Sequence, residues 1–287
     1  MRNDQLFVAG LVAAFAIAAA EPAMAQDAAT SPPAPTVPND LPPGPPPAET
    51  GWRLDVGAGV LAFPRFPGAK NVRVLPLPAI ELHYGDRFFA SVREGVGYNL
   101  IVSHGLKVGP IVTFVFPRSE GDARQALKGL GNVDFTFEAG GFAHYDFGRV
   151  ATAQISARKG LNGHNGLAVD GSLDLNAPPL ANNRLFFTIG PKISYYDRRY
   201  SSAYFGVTPT QASRSAYTVF APRDGYQVSV GAGATYLLTR RITLSSFATY
   251  GRLMGDIARS PIVRGPFGSR DQFTGGANLT YRFNFGG

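Results

Sequence analysis

Toward the end of the chain, odd and even positions differ in kind. Phe273, Gly275, Ala277, Leu279, Tyr281, Phe283 and Phe285 alternate with Thr274, Gly276, Asn278, Thr280, Arg282 and Asn284. A strand turns successive side chains to opposite faces, so this pattern predicts a strand with one apolar, aromatic face and one polar face. The same period recurs upstream. Tyr226, Val228, Val230, Ala232, Ala234 and Tyr236 oppose Gln227, Ser229, Gly231, Gly233 and Thr235. Phe135, Phe137, Ala139, Ala143, Tyr145 and Phe147 oppose Asp134, Thr136, Glu138, His144 and Asp146. Leu167, Val169, Leu173 and Leu175 oppose Asp170 and Asp174, while Leu185, Phe187, Ile189 and Ile193 oppose Thr188, Lys192 and Ser194.

A soluble sandwich also alternates, and length separates the two cases. Strands of soluble domains average about 5–6 residues. A tilted strand crossing a bilayer needs about 9–11, and most of the runs here reach that length. Aromatics near the ends of the apolar face match interfacial girdles. The predicted fold is therefore all-β: a transmembrane antiparallel up-and-down β-barrel of about 12 strands. The strands fall near 52–62, 74–84, 87–93, 95–102, 106–116, 133–147, 150–159, 166–176, 184–196, 226–238, 242–253 and 272–285. If 87–102 is one kinked strand the count falls; about 10 is the alternative, and the even-number rule favours a split at Arg93-Glu94-Gly95. Pro110 and Pro191 fall mid-strand after glycines, where a local bulge is expected. Short turns alternate with long loops at 64–73, 117–132, 197–225 and 255–270, and a medium one near 160–165. In outer-membrane barrels short turns face the periplasm and long loops face outward.

Composition narrows the class further. Only 16% of residues are charged and 45% are hydrophobic, a balance that would also suit a helical membrane protein. Beyond the first 25 positions, however, no run of about 20 apolar residues occurs, and the mean hydropathy is -0.02. The 21 Phe and 12 Tyr argue against a disordered chain. The absence of cysteine excludes disulfides, iron–sulfur clusters, thiol nucleophiles and cysteine zinc sites. Arg2, the apolar stretch Leu6 to Ala20 and the small-x-small site Ala23-Met24-Ala25 predict a signal peptide over 1–25, cut before Gln26. Nine of the twenty residues in 31–50 are proline, so 26–50 is expected to be a periplasmic linker in polyproline II or coil. Residues 51–287 form the expected barrel, and the expected localisation is the outer membrane.

Several segments resemble a known family. They are VRVLPLPAIELHYGDRFFAS (72–91), GVGYNLI (95–101), ALKGLGNVDFTFEAGGFAHYDFG (126–148), NGHNGL (162–167), SSAYFGVTPTQASRSAYTVF (201–220), GRLMGDIARSPIV (251–263) and LTYRFNF (279–285). In this order they are similar to the MipA/OmpV family, the MltA-interacting protein family. YFGV followed by a Gln-Ala pair, and GD followed by SPIV, are the specific elements. The resemblance implies an outer-membrane protein. One member of that family is a scaffold linking a lytic transglycosylase to a penicillin-binding protein in murein growth; others are associated with adhesion or with antibiotic and osmotic responses. Contact with the barrel-assembly machinery during biogenesis is implied too, although Gly286-Gly287 displaces the usual terminal aromatic.

Catalytic chemistry finds little support. Acyl hydrolysis needs a nucleophile, a base and an orienting group. His83 falls near a periplasmic strand end, His104 in a tight periplasmic turn, and His144 on the lumen face beside Asp146 and Glu138. His164, in the outer turn Asn162-Gly163-His164-Asn165-Gly166, is the best candidate. No serine or paired acid lies at a readable spacing, so it is read as a histidine in a Gly/Asn-rich turn, either incidental there or packed on neighbouring loops. Asp134, Glu138, Asp146, Asp170 and Asp174, with Arg158, Lys192 and Arg282, are expected to share the lumen as a charge network, because charges taken out of water need partners. No HExxH or EF-hand spacing occurs. No catalytic, cofactor-binding or metal-ligating residue is assigned, no cofactor is expected, and the protein is read as a non-enzyme.

The charge balance points to the envelope. Residues 51–287 hold 26 basic and 15 acidic residues, and much of the excess falls in the long loops: Arg65, Lys70, Arg73, Arg118, Arg124, Lys128, Arg198, Arg199, Arg214, Arg223, Arg259, Arg264 and Arg270. The compartment argues against nucleic acid. An Arg-rich rim would meet the phosphates of lipopolysaccharide; the bland alternative is solvated loop charge. Two functions remain: a structural or scaffolding interaction protein, and a narrow pore or adhesin-like surface protein. A loop as long as 197–225 is normally functional or disordered. This one carries Tyr200, Tyr204, Phe205, Tyr217 and Phe220, and is expected to fold over the barrel mouth as a plug, with Arg198, Arg199 and Arg214 turned to lipid phosphates or lumen carboxylates.

Overall fold

The computed structural model describes residues 51–285; the expected signal peptide, the Pro-rich linker and Gly286-Gly287 lie outside the described residues. The strands are β1 (Trp52–Pro64), β2 (Val72–Tyr84), β3 (Phe88–Ser91), β4 (Gly95–Tyr98), β5 (Ile101–Ser103), β6 (Leu106–Val115), β7 (Thr136–Phe147), β8 (Ala151–Gly160), β9 (Leu167–Asn176), β10 (Leu185–Tyr196), β11 (Gly225–Leu237), β12 (Ile242–Gly255) and β13 (Asp271–Phe285). They form one antiparallel sheet in the order β4-β3-β2-β1-β13-β12-β11-β10-β9-β8-β7-β6-β5, and pairing of β4 with β6 closes it. β4 and β5 are one stave interrupted at Asn99-Leu100, so the closed barrel has 12 staves. The split at Arg93-Glu94-Gly95 holds: β3 ends at Ser91 and β4 starts at Gly95.

The alternation read from the sequence sets the two faces. Val60, Phe137, Ile155, Ile189 and Leu279 remain exposed on the outside, while Asp55, Glu138, Arg158, Asp170, Lys192 and Arg282 are buried inside. Aromatic contacts gather at the periplasmic end, with Trp52 and Tyr84 rings 4.8 Å apart and Tyr145 and Phe147 rings 4.7 Å apart. Tyr226, Tyr250 and Phe273 are exposed near the other end. The periplasmic turns are tight. His104 and Gly105 both have positive φ, 46° and 85°, the type I′ geometry that matches strand twist in a two-residue hairpin.

The prolines act differently from expectation. At Pro110 the bulge lies on the facing stave: Gly97 is opposite Ile111 but Ile101 is opposite Val108, which leaves one extra residue between. A side chain at Gly109 would run into the Tyr98 carbonyl there. β6 itself passes through Pro110 in constant register with β7. At Pro191 no residue is inserted. The β9–β10 ladder omits Gly190 and Pro191 and resumes in the same register, because a missing N–H deletes a bond without shifting the strand. β7 starts at Thr136 rather than near 133, since Val133 pairs with Arg118 inside the loop.

The outer loops carry four short helices: α1 (Arg124–Leu127), α2 (Arg198–Phe205), α3 (Pro209–Ala212) and α4 (Pro261–Arg264). Together the loops build a small hydrophobic core in the barrel mouth. Phe66, Leu127, Leu130, Val207 and Ile262 pack on Leu61 and Phe63 of β1. Tyr200, Tyr204, Phe205, Ile257 and Val263 form a second cluster with Tyr196 and Leu253. Burying a Leu, Ile or Phe side chain is worth about 1.5–3 kcal/mol, and a typical neutral hydrogen bond nets about 1 kcal/mol. Burial therefore dominates what holds the loops down.

Candidate functional site

The densest polar cluster lies in the upper lumen, under the loop core. Successive wall strands bring it together because inward positions of neighbours face each other. Arg158 of β8 donates from Nε to Glu138 of β7 at 3.0 Å and from a terminal nitrogen to Asp170 of β9 at 2.6 Å. Its other terminal nitrogen bonds Ser156 Oγ. Ser194 of β10 donates to the second oxygen of Asp170, and Thr113 of β6 donates to Glu138 at 2.9 Å. Arg158, Glu138 and Asp170 are all at most 2% exposed. Such a set survives burial only because each charge is paired and hydrogen-bonded.

A loop residue completes it. Asn162-Gly163-His164-Asn165-Gly166 turns through positive φ at Gly163 and Asn165, and this drives His164 inward to 3% exposure. His164 Nε2 lies 3.0 Å from Glu138 Oε1, while Nδ1 accepts the Gly166 N–H at 2.9 Å. Accepting at Nδ1 places the ring proton on Nε2, which donates to Glu138. Above it Tyr196 stacks on Tyr200, Tyr204 meets Tyr200 at a tilt, and the His164 ring lies 4.7 Å from that of Tyr200. A side chain at Gly166 would collide with the Tyr200 backbone, so the close approach of α2 requires glycine there. Asp197 caps α2 through Tyr200 N–H. Burial pushes the phenols of Tyr200 and Tyr204 well up, so both stay neutral.

The loops are also fastened to each other. Arg118 donates to the carbonyls of Tyr204 and Gly131, and Ser260 donates to the carbonyl of Phe205 at 2.7 Å. Gln272 of β13 accepts the Gly68 N–H at 3.0 Å. The expected fold of the 197–225 loop over the mouth is present: Tyr200, Tyr204 and Phe205 are buried in the second cluster, and Tyr217 and Phe220 pack against the first. Arg198, Arg199 and Arg214 are exposed and do not reach the lumen carboxylates, a place taken by Arg158.

Lower in the lumen further pairs line the wall. Arg282 holds Asp55 with two contacts, 2.8 and 3.3 Å, and Arg53 reaches Asp55 at 3.5 Å. Lys192 lies 3.9 Å from Asp174. His144 lies 2.9 Å from Asp146, as its face placed it; Glu138 is claimed by Arg158 and His164 instead. Asp134 does not join the lumen, because it precedes β7 and is exposed. Two basic residues counted with the loops also leave the rim. Arg73 is part of β2 and lies over the Phe63 ring, and Arg118 is buried.

The remaining histidines do not assemble a catalytic set. His83 stands opposite Arg53 at the periplasmic end. His104 Nδ1 bonds Ser103 Oγ at 2.8 Å in an exposed turn, but no carboxylate bonds the ring among the described residues. Among the described residues no group of three His, Asp or Glu is placed to hold a metal ion. Sequence reasoning missed the contact between His164 and Glu138. The run of positive-φ formers around His164 was its only signal.

Comparison with known proteins gives relatives by sequence and by fold. YiaT of Escherichia coli (strain K12), named as an outer membrane protein, is 26% identical over 241 residues, which is 82% of this chain and 92% of YiaT. An outer membrane channel from Pseudomonas putida F1 is 12% identical, with a TM-score of 0.41 over 86% of this chain and 100% of the other. The NanC porin is 11% identical, with a TM-score of 0.40 over 79% of this chain and 98% of the other. The chain is an outer-membrane β-barrel, and with residues 56–283 matching the family description "MltA-interacting protein MipA" it belongs to that family.

Proposed function

We propose that this barrel is a closed, non-enzymatic interaction protein of the outer membrane. The observation that carries this reading is the covered mouth: the loop core packs over the outer end of the barrel, and His164 fastens it to the Glu138–Arg158–Asp170 set on the adjacent wall strands β7, β8 and β9. Glu138, Arg158, Asp170 and His164, the densest buried set of ionisable groups, are committed to each other. A closed barrel still offers its rims. The exposed basic residues Arg198, Arg199, Arg214 and Arg264 suit lipopolysaccharide phosphates on the outside.

On the periplasmic side, the family description names an interaction with MltA. By that lead, the partners are murein enzymes, a lytic transglycosylase together with a penicillin-binding protein, held to the outer membrane through the short turns and the 26–50 segment. The test is direct binding between the full-length chain in lipid nanodiscs and a purified lytic transglycosylase. Saturable binding that weakens when residues 26–50 are deleted, or when the periplasmic turns carry Arg149→Glu and Arg240→Glu, supports the reading. Absence of binding, together with steady conductance of the intact barrel, favours a narrow pore for small solutes.

A further inference from the structure

The wall is not complete at every height. β3 stops at Ser91, opposite Glu81, and β4 meets β6 at Val112 and Ile111. Above these points, residues 72–79 of β2 pair with β1 alone, and residues 113–115 of β6 pair with β7 alone. The result is a window in the upper half of the wall, with β2 and β6 as its sides and the 92–94 turn as its sill. Its upper border is the 116–123 segment, which Asp122 ties to Arg73 of β2 at 3.5 Å. On the β6 side the opening spans a height on the order of 10 Å, at the usual rise per strand residue.

The β2 edge is suited to such an opening. The Val92 N–H donates to the Ile80 carbonyl, so even-numbered residues of β2 aim their backbone groups at the window. Two of these are Pro76 and Pro78, which have no N–H to leave orphaned in lipid and cannot recruit another strand. Their neighbours Val74 and Ile80 face outward, 65% and 43% exposed, within the apolar belt. Behind the window lies a cavity of about 100 Å³, walled mostly by apolar side chains such as Leu61, Leu77, Ala79, Phe116 and Phe247, with Glu81, Ser91 and Arg93 at its sill and Asn278 on its far side. Apolar cavities of roughly 150 Å³ stay dry and accept small hydrophobes. This one opens sideways, in continuity with the lipid-facing surface.

We propose that the window is a lateral port, and that the cavity binds the end of an acyl chain entering from the bilayer. The apolar part of the lining takes the tail end, the polar groups stay at the sill, and the prolines keep the wall from zipping shut. The occupant needs an apolar tail and no specific head group.

Trp52 is the single tryptophan, so a clean reporter can be placed. In a Trp52→Phe background, Phe247→Trp and Phe116→Trp put a fluorophore in the cavity from two different elements. Ile189→Trp, on the outer face, serves as the lipid-contact control. The full-length barrel is reconstituted in vesicles of phosphatidylcholine brominated along its acyl chains, and cold-gel mobility checks that each variant is folded. The cavity reporters should be quenched at least half as strongly as the control. Ala79→Phe, which fills the cavity, should cut that quenching at least threefold. Reporters that ignore bromolipid while the control responds would overturn the proposal, and strong quenching of them by aqueous acrylamide would show a water-filled cavity instead.

Discussion

His164 donates from Nε2 to Glu138 Oε1 at 3.0 Å, joining an outer turn to a wall strand 26 residues earlier in the chain. That contact makes the plug and the wall one structure. The loop core cannot lift away without uncovering a carboxylate that Arg158 and Thr113 also serve.

The network should therefore be costly to break from one side. Arg158→Ala strands Glu138 and Asp170 as buried, uncompensated charges and should destabilise the barrel by about 3–5 kcal/mol. Combining Arg158→Met with Glu138→Gln and Asp170→Asn removes the charges together and should recover most of that loss. Urea unfolding in lipid vesicles measures both. An Arg158→Ala barrel within about 1 kcal/mol of the parent would contradict the account.

Much of the fold was legible in the sequence because a period of two is a local signal. Phe273 to Phe285 identify their own faces without reference to any other strand, and positive-φ formers mark the turns. Register is not local. Nothing in the order of residues shows that Arg158 stands between Glu138 and Asp170, since that depends on how three strands slide past one another. The window was hidden for a related reason. It arises because β3 has only 4 residues beside a β2 of 13, and only Pro76 and Pro78 hint at a free edge. Asp134 was misplaced because alternation was carried past the point where β7 begins.

The lipid face predicts a gradient of cost with depth. Leu279 faces outward near mid-belt, opposite Ala58 and Leu244, and Phe283 faces outward in the periplasmic girdle. Leu279→Arg should cost about 2–4 kcal/mol and Phe283→Arg about 0–1 kcal/mol. Equal costs in a vesicle unfolding series would contradict this placement of the belt.

The 116–135 loop should respond to acid. Burial raises the Asp122 carboxyl above its ordinary 3.8, against the Ser119 backbone bond and the Arg73 charge that lower it. Between the ordinary and the raised value, the folded loop binds more protons than the unfolded chain. Asp122 therefore favours the folded loop most at low pH, and that share declines as pH rises through this window and levels off above it. Amide exchange of the loop, corrected for intrinsic rates, should show this slope, and Asp122→Asn should remove it. A slope unchanged in Asp122→Asn would assign it to another group.

Single-channel recording tests the closed barrel most directly. The full-length protein in a planar bilayer should hold near baseline current, because the loop core covers the mouth and His164 fastens it to the Glu138–Arg158–Asp170 set on the wall. Deleting residues 201–216 removes Tyr204, Phe205 and Val207 from that core. It should produce stepwise conductance while cold-gel mobility still reports a folded barrel. Steady open current through the unmodified protein, unchanged by the deletion, would contradict the account.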